Sequence, residues 1–231
     1  MISILIIGNG NVASHLYSAL LKAANVRVLK ISSRNITEIP KADISIIAVS
    51  DDAIATVSSK ITNSLVVHTS GSFPMESLQN KTNKGVFYLL QTFSKEKAID
   101  FSKIPICLEA TNAKDYLLLE MLAKKLSNHV YSVHSEKRKA LHLAAVFVNN
   151  FTNHLFTIGK NICESNQLPF EILQPLIEET VDKIKTLSPE KAQTGPAVRN
   201  DQKTIENHLD MLHLKQQKIY TTLTKSIQNG N

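Results

Sequence analysis

Cysteine is scarce in this sequence: Cys107 and Cys163 are the only two, far apart. That excludes a disulfide framework and leaves no cysteine spacing able to hold a metal. No His/Cys/Asp cluster has zinc or iron spacing either, so no metal site is expected. The two thiols are expected to be free and in or near the core. Long apolar runs are missing too. None approaches the roughly 18 residues that a membrane span requires, and the start lacks a basic stretch of the signal-peptide kind. A cytoplasmic protein without a membrane segment is the expectation. Also absent are a Gly-x-Ser-x-Gly elbow and any Cys–His pair close in sequence, which leaves no evident protein nucleophile.

Charge has a sign but no pattern. The net charge is +6, yet the excess is spread over the chain, with 14 basic against 10 acidic residues through His134 and 12 against 10 beyond it. Only Lys137-Arg138-Lys139 is a tight basic cluster, and no basic stripe carries interleaved aromatics. This disfavours nucleic acid as a partner and reads as solvated surface with a mild preference for anionic ligands.

What is present begins at the second residue. Ile2 to Ile7 is a β-branched apolar run, as in a strand buried on both faces. Gly8-Asn9-Gly10-Asn11-Val12-Ala13 follows at once and matches G-x-G-x-x-A. Val12, Leu16, Ala19, Leu20 and Ala23 then recur at helical spacing. Strand, glycine turn and helix in this order form the unit that binds a dinucleotide. In that reading Gly8 allows the tight turn, Gly10 lets backbone approach a pyrophosphate, and Ala13 lets the helix pack near the strand. The helix N-terminus supplies free N–H groups.

A second strand, Val26 to Ile31, runs into Ser32-Ser33-Arg34-Asn35, with no acid until Glu38. An acid at this place would bond a ribose 2′-hydroxyl, whereas arginine and small hydroxyls suit a 2′-phosphate. Ser33 and Arg34 therefore favour NADP over NAD, the alternative being an ordinary polar turn. Further strands are expected at Ile44–Val49, Ser64–His68, Val86–Gln91, Ile104–Glu109 and His129–Val133. Pro105 suggests that the sixth lies at a sheet edge. The ends of these strands supply more candidates for the cofactor: Val49 and Ser50, then Ser70 and Gly71 in the turn Thr69–Ser72, which is otherwise a flexible connection. Gln91 is a substrate-side candidate. Asp51 and Asp52 are accounted for as helix caps.

After His134 the pattern turns wholly helical. Ser135 to Ser165 predicts one long helix. A second starts near Pro169 and runs to Leu187. A loop spans 188–200, and a last helix capped by Asp201 continues to about Ile227. The fold expected is α/β, a doubly wound and mostly parallel sheet of the Rossmann type in residues 1–134, followed by an all-α domain in 135–231.

Hydride transfer needs no protein nucleophile, because the cofactor carries the chemistry; the protein orients the substrate and often supplies a proton. On the long helix His142, Asn149 and Asn153 fit one face, and Asn150 pairs with His154. Interior asparagines are unfavourable in a helix, so they point either to a polar pocket or to bonds with neighbouring helices. His142 as proton donor and Asn149 as its catalytic companion are the candidates, with a satisfied core histidine as the other reading; Asn150 is placed with the substrate. His154 reads as structural. In the loop, Arg199 beside a rigid turn and a helix start suits a substrate anion.

GNGNVASHL, HTSGS, LLQTFS, LHLAAVFVNNFTNHL and AQTGPAVRND together resemble an uncharacterised Rossmann-like family of NADP-dependent oxidoreductases whose C-terminal half is known only as a domain of unknown function. More distantly the chain is similar to F420-dependent NADP reductases, pyrroline-carboxylate reductases, and prephenate and β-hydroxyacid dehydrogenases. The resemblance implies a helical domain like the C-terminal domain of 6-phosphogluconate dehydrogenase, dimerisation through it, and an active site in the interdomain cleft. No substrate follows from the resemblance; the leading expectation is hydride transfer between NADP(H) and a small anionic metabolite with a C=O or C=N group. Two departures stand out. The β-hydroxyacid enzymes carry a lysine four residues before a helix asparagine, where this chain has Ala145 and Val146, which counts against their mechanism. Leu90 occupies a position where proline is expected. A non-catalytic NADP-binding sensor or interaction protein is the alternative.

Overall fold

A computed structural model of the chain describes residues 1–34, 36, 38–62 and 65–230. Asn35 of the expected turn and Ser64 of the expected fourth strand lie outside them. The chain forms two compact units, residues 1–151 and 152–231.

The first unit is built on a seven-stranded sheet: β1 (Ile2–Ile7), β2 (Val26–Ile31), β3 (Ile44–Ile47), β4 (Leu65–His68), β5 (Lys84–Leu89), β6 (Ile106–Ala110) and β7 (Val130–Ser132), in the order β2-β1-β3-β4-β5-β6-β7. Strands β1 to β5 run parallel, β6 is antiparallel to β5, and β7 is parallel to β6. Strand alternation sorts the side chains. Ile4, Ile6, Ile44, Ile46, Phe87 and Leu108 meet α1 (Asn11–Leu20) and α3 (Ala113–Lys124) on one face. Leu5, Ile7 and Ile47 meet α2 (Asp51–Ser58) on the other. On that second face Val86, Tyr88 and Cys107 meet Leu141 of α4 (Ser135–Ala145). Helices on both faces of a mostly parallel sheet make this the doubly wound arrangement that the pattern of strands and helices predicts.

The sheet corrects one expectation. Strand β6 is interior, and the edges are β2 and β7. Pro105 stands just before the first residue of β6, where its missing N–H removes no rung, and its carbonyl accepts from Leu90 N–H at 2.9 Å.

Helical backbone continues from α4 through a π-helical segment, Val146–Phe151, into α5 (Thr152–Ser165), so the expected long helix is interrupted by wider turns. Such π segments recur at functional sites. The second unit continues with a 3₁₀ turn at Phe170–Leu173, α6 (Gln174–Lys183), the short α7 (Pro189–Ala192), α8 (Gln202–Asp210) and α9 (Leu214–Asn229). No strand occurs in it among the described residues. The single last helix expected from the sequence is thus two. His213 starts the second of them, its N–H bonded to Gln216 Oε1 at 3.2 Å in a capping box. Asp201 caps the first as expected, its Oδ1 accepting from Thr204 N–H at 3.1 Å. Cys107 and Cys163 are both buried and free.

Candidate functional site

The first unit carries a cleft of about 1220 Å³ at the carboxyl ends of its parallel strands, where doubly wound sheets hold their ligands. One end of it is made of backbone. Gly8 has φ +147°, and a Cβ there would run into the Ala48 carbonyl just after β3, so no other residue fits without distortion. Ala13 is fully buried beneath it. Gly10, the N-cap of α1, meets nothing within 4 Å on its Cβ side and is capped by no side chain. That leaves the first N–H groups of the helix open to the cleft. The loop after β5 is clamped to this helix: Asn11 Nδ2 donates to the Phe93 carbonyl and His15 Nε2 to the Ser94 carbonyl, both at 2.9 Å.

Two turns flank this end. After β2, Ser32 Oγ accepts from Arg34 N–H at 3.1 Å, and Ser33 and Arg34 line the cleft. Thr56 and Lys60, of α2 and its end, line it as well. Asp51 does more than begin α2: its carboxylate accepts from Ser72 Oγ, which ties the helix to the turn after β4. The cap reading of Asp51 is corrected accordingly, because Ser50 makes no side-chain cap bond and the Asp51 carboxylate is directed across the turn.

The other end is made of side chains from distant parts of the chain. Alternation on β4, β5 and β6 aims His68, Tyr88 and Glu109 at the face covered by α4, where Arg138 and His142 stand one turn apart. Arg138 is fully buried. It donates to Glu109 Oε2 at 2.5 Å, to the Phe73 carbonyl at 2.6 Å and to Ser135 Oγ at 3.2 Å. Ser135 Oγ in turn donates to Glu109 Oε2 at 2.8 Å. The expectation that Lys137-Arg138-Lys139 is solvated surface therefore fails for Arg138, whose carboxylate partner lies 29 residues back in sequence. His142 Nδ1 pairs with Tyr88 Oη at 3.1 Å, the rings edge to face. A Cβ on Gly71 would come within 2.5 Å of the same Nδ1, so this glycine is what leaves room for the imidazole.

His68 lies fully buried beside this group. Its Nδ1 accepts from Ser70 N–H at 3.2 Å, which places the ring hydrogen on Nε2, and Nε2 has no hydrogen-bond partner among the described residues. Burial first, and then the Arg138 charge, push its pKa down to about 3 against a weaker opposing effect of Asp51. Tyr88 is shifted the other way, up to about 12, by burial and then by the Cys107 thiol, with Arg138 opposing. Both groups are neutral at physiological pH.

The cleft brings together Asn9, Gly10, Asn11 and Val12 with Ser33, Arg34, Val49 and Ser50. At its other end it reaches Gln91, His142, Asn149 and Asn150. Gly8 and Ala13 lie beneath it as packing. Ser70 and Gly71 do not line it: the Ser70 hydroxyl accepts from Ser72 and Phe73 N–H, Gly71 lies against His142, and Thr69 is the residue of that turn facing the cleft. Arg199 belongs to the second unit, where it is exposed. Sequence reasoning missed Tyr88, Arg138, His68 and Lys60. For Tyr88 and His68 the available signal was a polar residue at an inward position of an otherwise apolar strand.

The model of a family described as a domain of unknown function (DUF2520) matches residues 104–227. The whole chain is similar to a solved protein from Bacteroides fragilis named as a candidate NADP oxidoreductase, with 37% identity over 99% of this chain and 98% of that one and a TM-score of 0.92. A Thermotoga maritima protein shares 22% identity over 98% and 97% of the two chains with a TM-score of 0.74. An imine reductase from Myxococcus stipitatus, solved with NADP+, shares 13% over 98% and 92% with a TM-score of 0.60. The last two likenesses concern the fold alone. No curated protein matches the chain. The family match and the Bacteroides likeness agree over more than half of its length: the chain belongs to the DUF2520 family, on a Rossmann-type fold.

Proposed function

We propose that this protein is an NADP-dependent oxidoreductase that transfers a hydride between NADP(H) and a small anionic metabolite carrying a C=O or C=N group. The observation that carries this reading is the continuity of one cleft from the open N-terminus of α1 to His142. The residues present fit the cofactor. Gly10 leaves backbone N–H groups accessible for a pyrophosphate, and a Cβ at Gly8 would collapse the turn that presents them. Ser33, Arg34, Thr56 and Lys60 line the same cleft with two cations and two hydroxyls suited to a 2′-phosphate, and among the described residues no acid lines it to favour a bare ribose. The likeness to the Bacteroides protein supports the same cofactor.

When bound, NADPH supplies the hydride. The chain supplies the rest: His142 donates a proton to the oxygen or nitrogen of the reacting group, Asn149 and Asn150 orient it by hydrogen bonds, and Gln91 borders it. The second unit exposes Leu168, Ile172, Leu176, Ile184 and Met211, each more than half exposed, and an apolar groove of about 260 Å³ lies between Leu155, Ile162, Tyr220 and Leu223. A homodimer through this helical unit is part of the reading, since apolar surface of this extent marks an interface. So is a cytoplasmic location; among the described residues no helix is long and apolar enough to cross a membrane.

The test is a panel of carbonyl and imine compounds with 4-deuterated NADPH. Label transferred to a product supports the reading. Tight NADPH binding without transfer to any compound turns it towards the non-catalytic sensor.

A further inference from the structure

A second cavity of about 300 Å³ adjoins the cleft and shares Gln91, Thr92, His142, Asn149 and Asn150 with it. Its remaining wall is Leu90, Leu141, Ala144, Ala145, Val146 and Val148, with Tyr88 at the back, and among the described residues no Lys, Arg, Asp or Glu lines it. A carboxylate or phosphate placed there would give up part of its hydration and meet no permanent charge of a Lys or Arg. A hydrocarbon group would lose nothing and would cover apolar wall. The π-helical segment contributes to this geometry, since Val146, Val148, Asn149 and Asn150 all belong to it.

Tyr88 and His142 meet where the two cavities join. The phenol is nearly buried and stays protonated to about pH 12, so it is a hydrogen-bond donor throughout the working range. Donating to Nδ1 of a neutral imidazole, it leaves the ring hydrogen on Nε2, which has no partner among the described residues. When the ring is charged, Nδ1–H donates back to the phenol oxygen. Nε2 keeps its hydrogen in both states.

We propose that Tyr88 is a positioning residue that holds His142 by Nδ1 and keeps its Nε2–H directed at the reacting group, and that the cavity beside it takes an uncharged hydrocarbon substituent of the carbonyl or imine substrate. This rests on the oxidoreductase reading above. As the hydride and its electron pair arrive on the C=O or C=N carbon, the π pair moves to oxygen or nitrogen. That atom takes the Nε2 proton of charged His142, whose Nδ1–H stays donated to the Tyr88 oxygen, and Nε2 is then reprotonated from solvent. Any anionic part of the substrate lies outside this cavity.

Two measurements test the proposal separately. The first uses ¹⁵N-histidine-labelled full-length protein and no ligand. Neutral His142 shows the Nε2–H tautomer in the wild type and a mixture of tautomers in Tyr88→Phe, which removes one hydroxyl and keeps the ring. A wild-type Nδ1–H tautomer, or a His142 spectrum unchanged by the substitution, overturns the role of Tyr88. The second compares NADPH-dependent reduction of paired cyclic imines and ketones that carry either an alkyl group or a carboxylate at the same position. The alkyl member is preferred by at least about tenfold in kcat/KM, a difference of about 1.4 kcal/mol. Tyr88→Phe lowers kcat by roughly 100-fold with KM and NADPH affinity unchanged. Preference for the carboxylate, or NADPH binding with turnover of neither member, overturns the substrate assignment. If NADPH does not bind, the oxidoreductase reading falls and the substrate assignment with it, while the imidazole spectrum still decides the role of Tyr88.

Discussion

The two ends of the cleft are built from different materials. At the end formed by Gly8, Gly10 and the start of α1, the working groups are backbone N–H donors, and side chains matter by being absent. At the His142 end the working groups are side chains from β5, β6 and α4, joined by hydrogen bonds across 26 to 65 residues of sequence, with His68 of β4 buried beside them. A backbone site is written in one contiguous stretch and tolerates change around it. A side-chain site depends on the register of several strands and on buried charges that must stay paired.

The contrast is sharpest at Arg138. Arg138→Ala leaves Glu109 without its countercharge under α4, and unfolding in denaturant is expected to show a loss of about 3–5 kcal/mol, with the Gly10 end intact in whatever fraction stays folded. A loss below 1 kcal/mol would mean that the His142 end does not depend on this pair.

His68 gives the next largest effect. Its folded pKa of about 3 lies below the ordinary 6.5, so the unfolded chain binds a proton that the folded chain does not. The stability contributed by neutral His68 is present above pH 6.5 and is lost as pH falls from there towards 3. Wild type is expected to lose up to about 1.4 kcal/mol per pH unit more than His68→Gln over that window. Parallel pH–stability curves would place the histidine in a wetter setting. Next comes the loop end: Arg34→Ala is expected to weaken NADPH binding by roughly tenfold while leaving NADH binding unchanged, as removal of one 2′-phosphate contact requires. Equal loss for both cofactors would separate Arg34 from the phosphate. The smallest effect belongs to neither end. Asp201→Ala removes the α8 cap, costing about 1 kcal/mol in thermal unfolding, with cofactor affinity unchanged.

Legibility in the sequence follows the same division. Strands β1 and β2 are legible to the residue: the apolar, β-branched β1 ends sharply at Gly8, and the half-buried edge strand β2 ends at Ser32. The glycine turn is legible because Gly8, with its positive φ, and Gly10 stand in one contiguous stretch between strand and helix. Pro105 misled because proline forbids only a ladder N–H and says nothing of what lies beside the next residue. Arg138 misled because its neighbours Lys137 and Lys139 are solvated, while its own direction is set by helix phase against β6. Tyr88 is invisible as a site residue until α4 is laid over β5. His142 and the two asparagines stood out because they are poor choices for an apolar helix face. The π segment that spreads the asparagines has no such signature. In the second unit the break at 211–213 follows a residue, Asp210, that helical periodicity alone does not mark as an end.

The central claim is that both ends form one site for one ligand. Titrating labelled protein with NADPH while following the Gly10 amide and the His142 imidazole by NMR tests it directly. Both signals are expected to move with a single common dissociation constant. Movement of Gly10 with His142 unaffected at saturation would contradict the claim and leave a nucleotide site without a reaction centre.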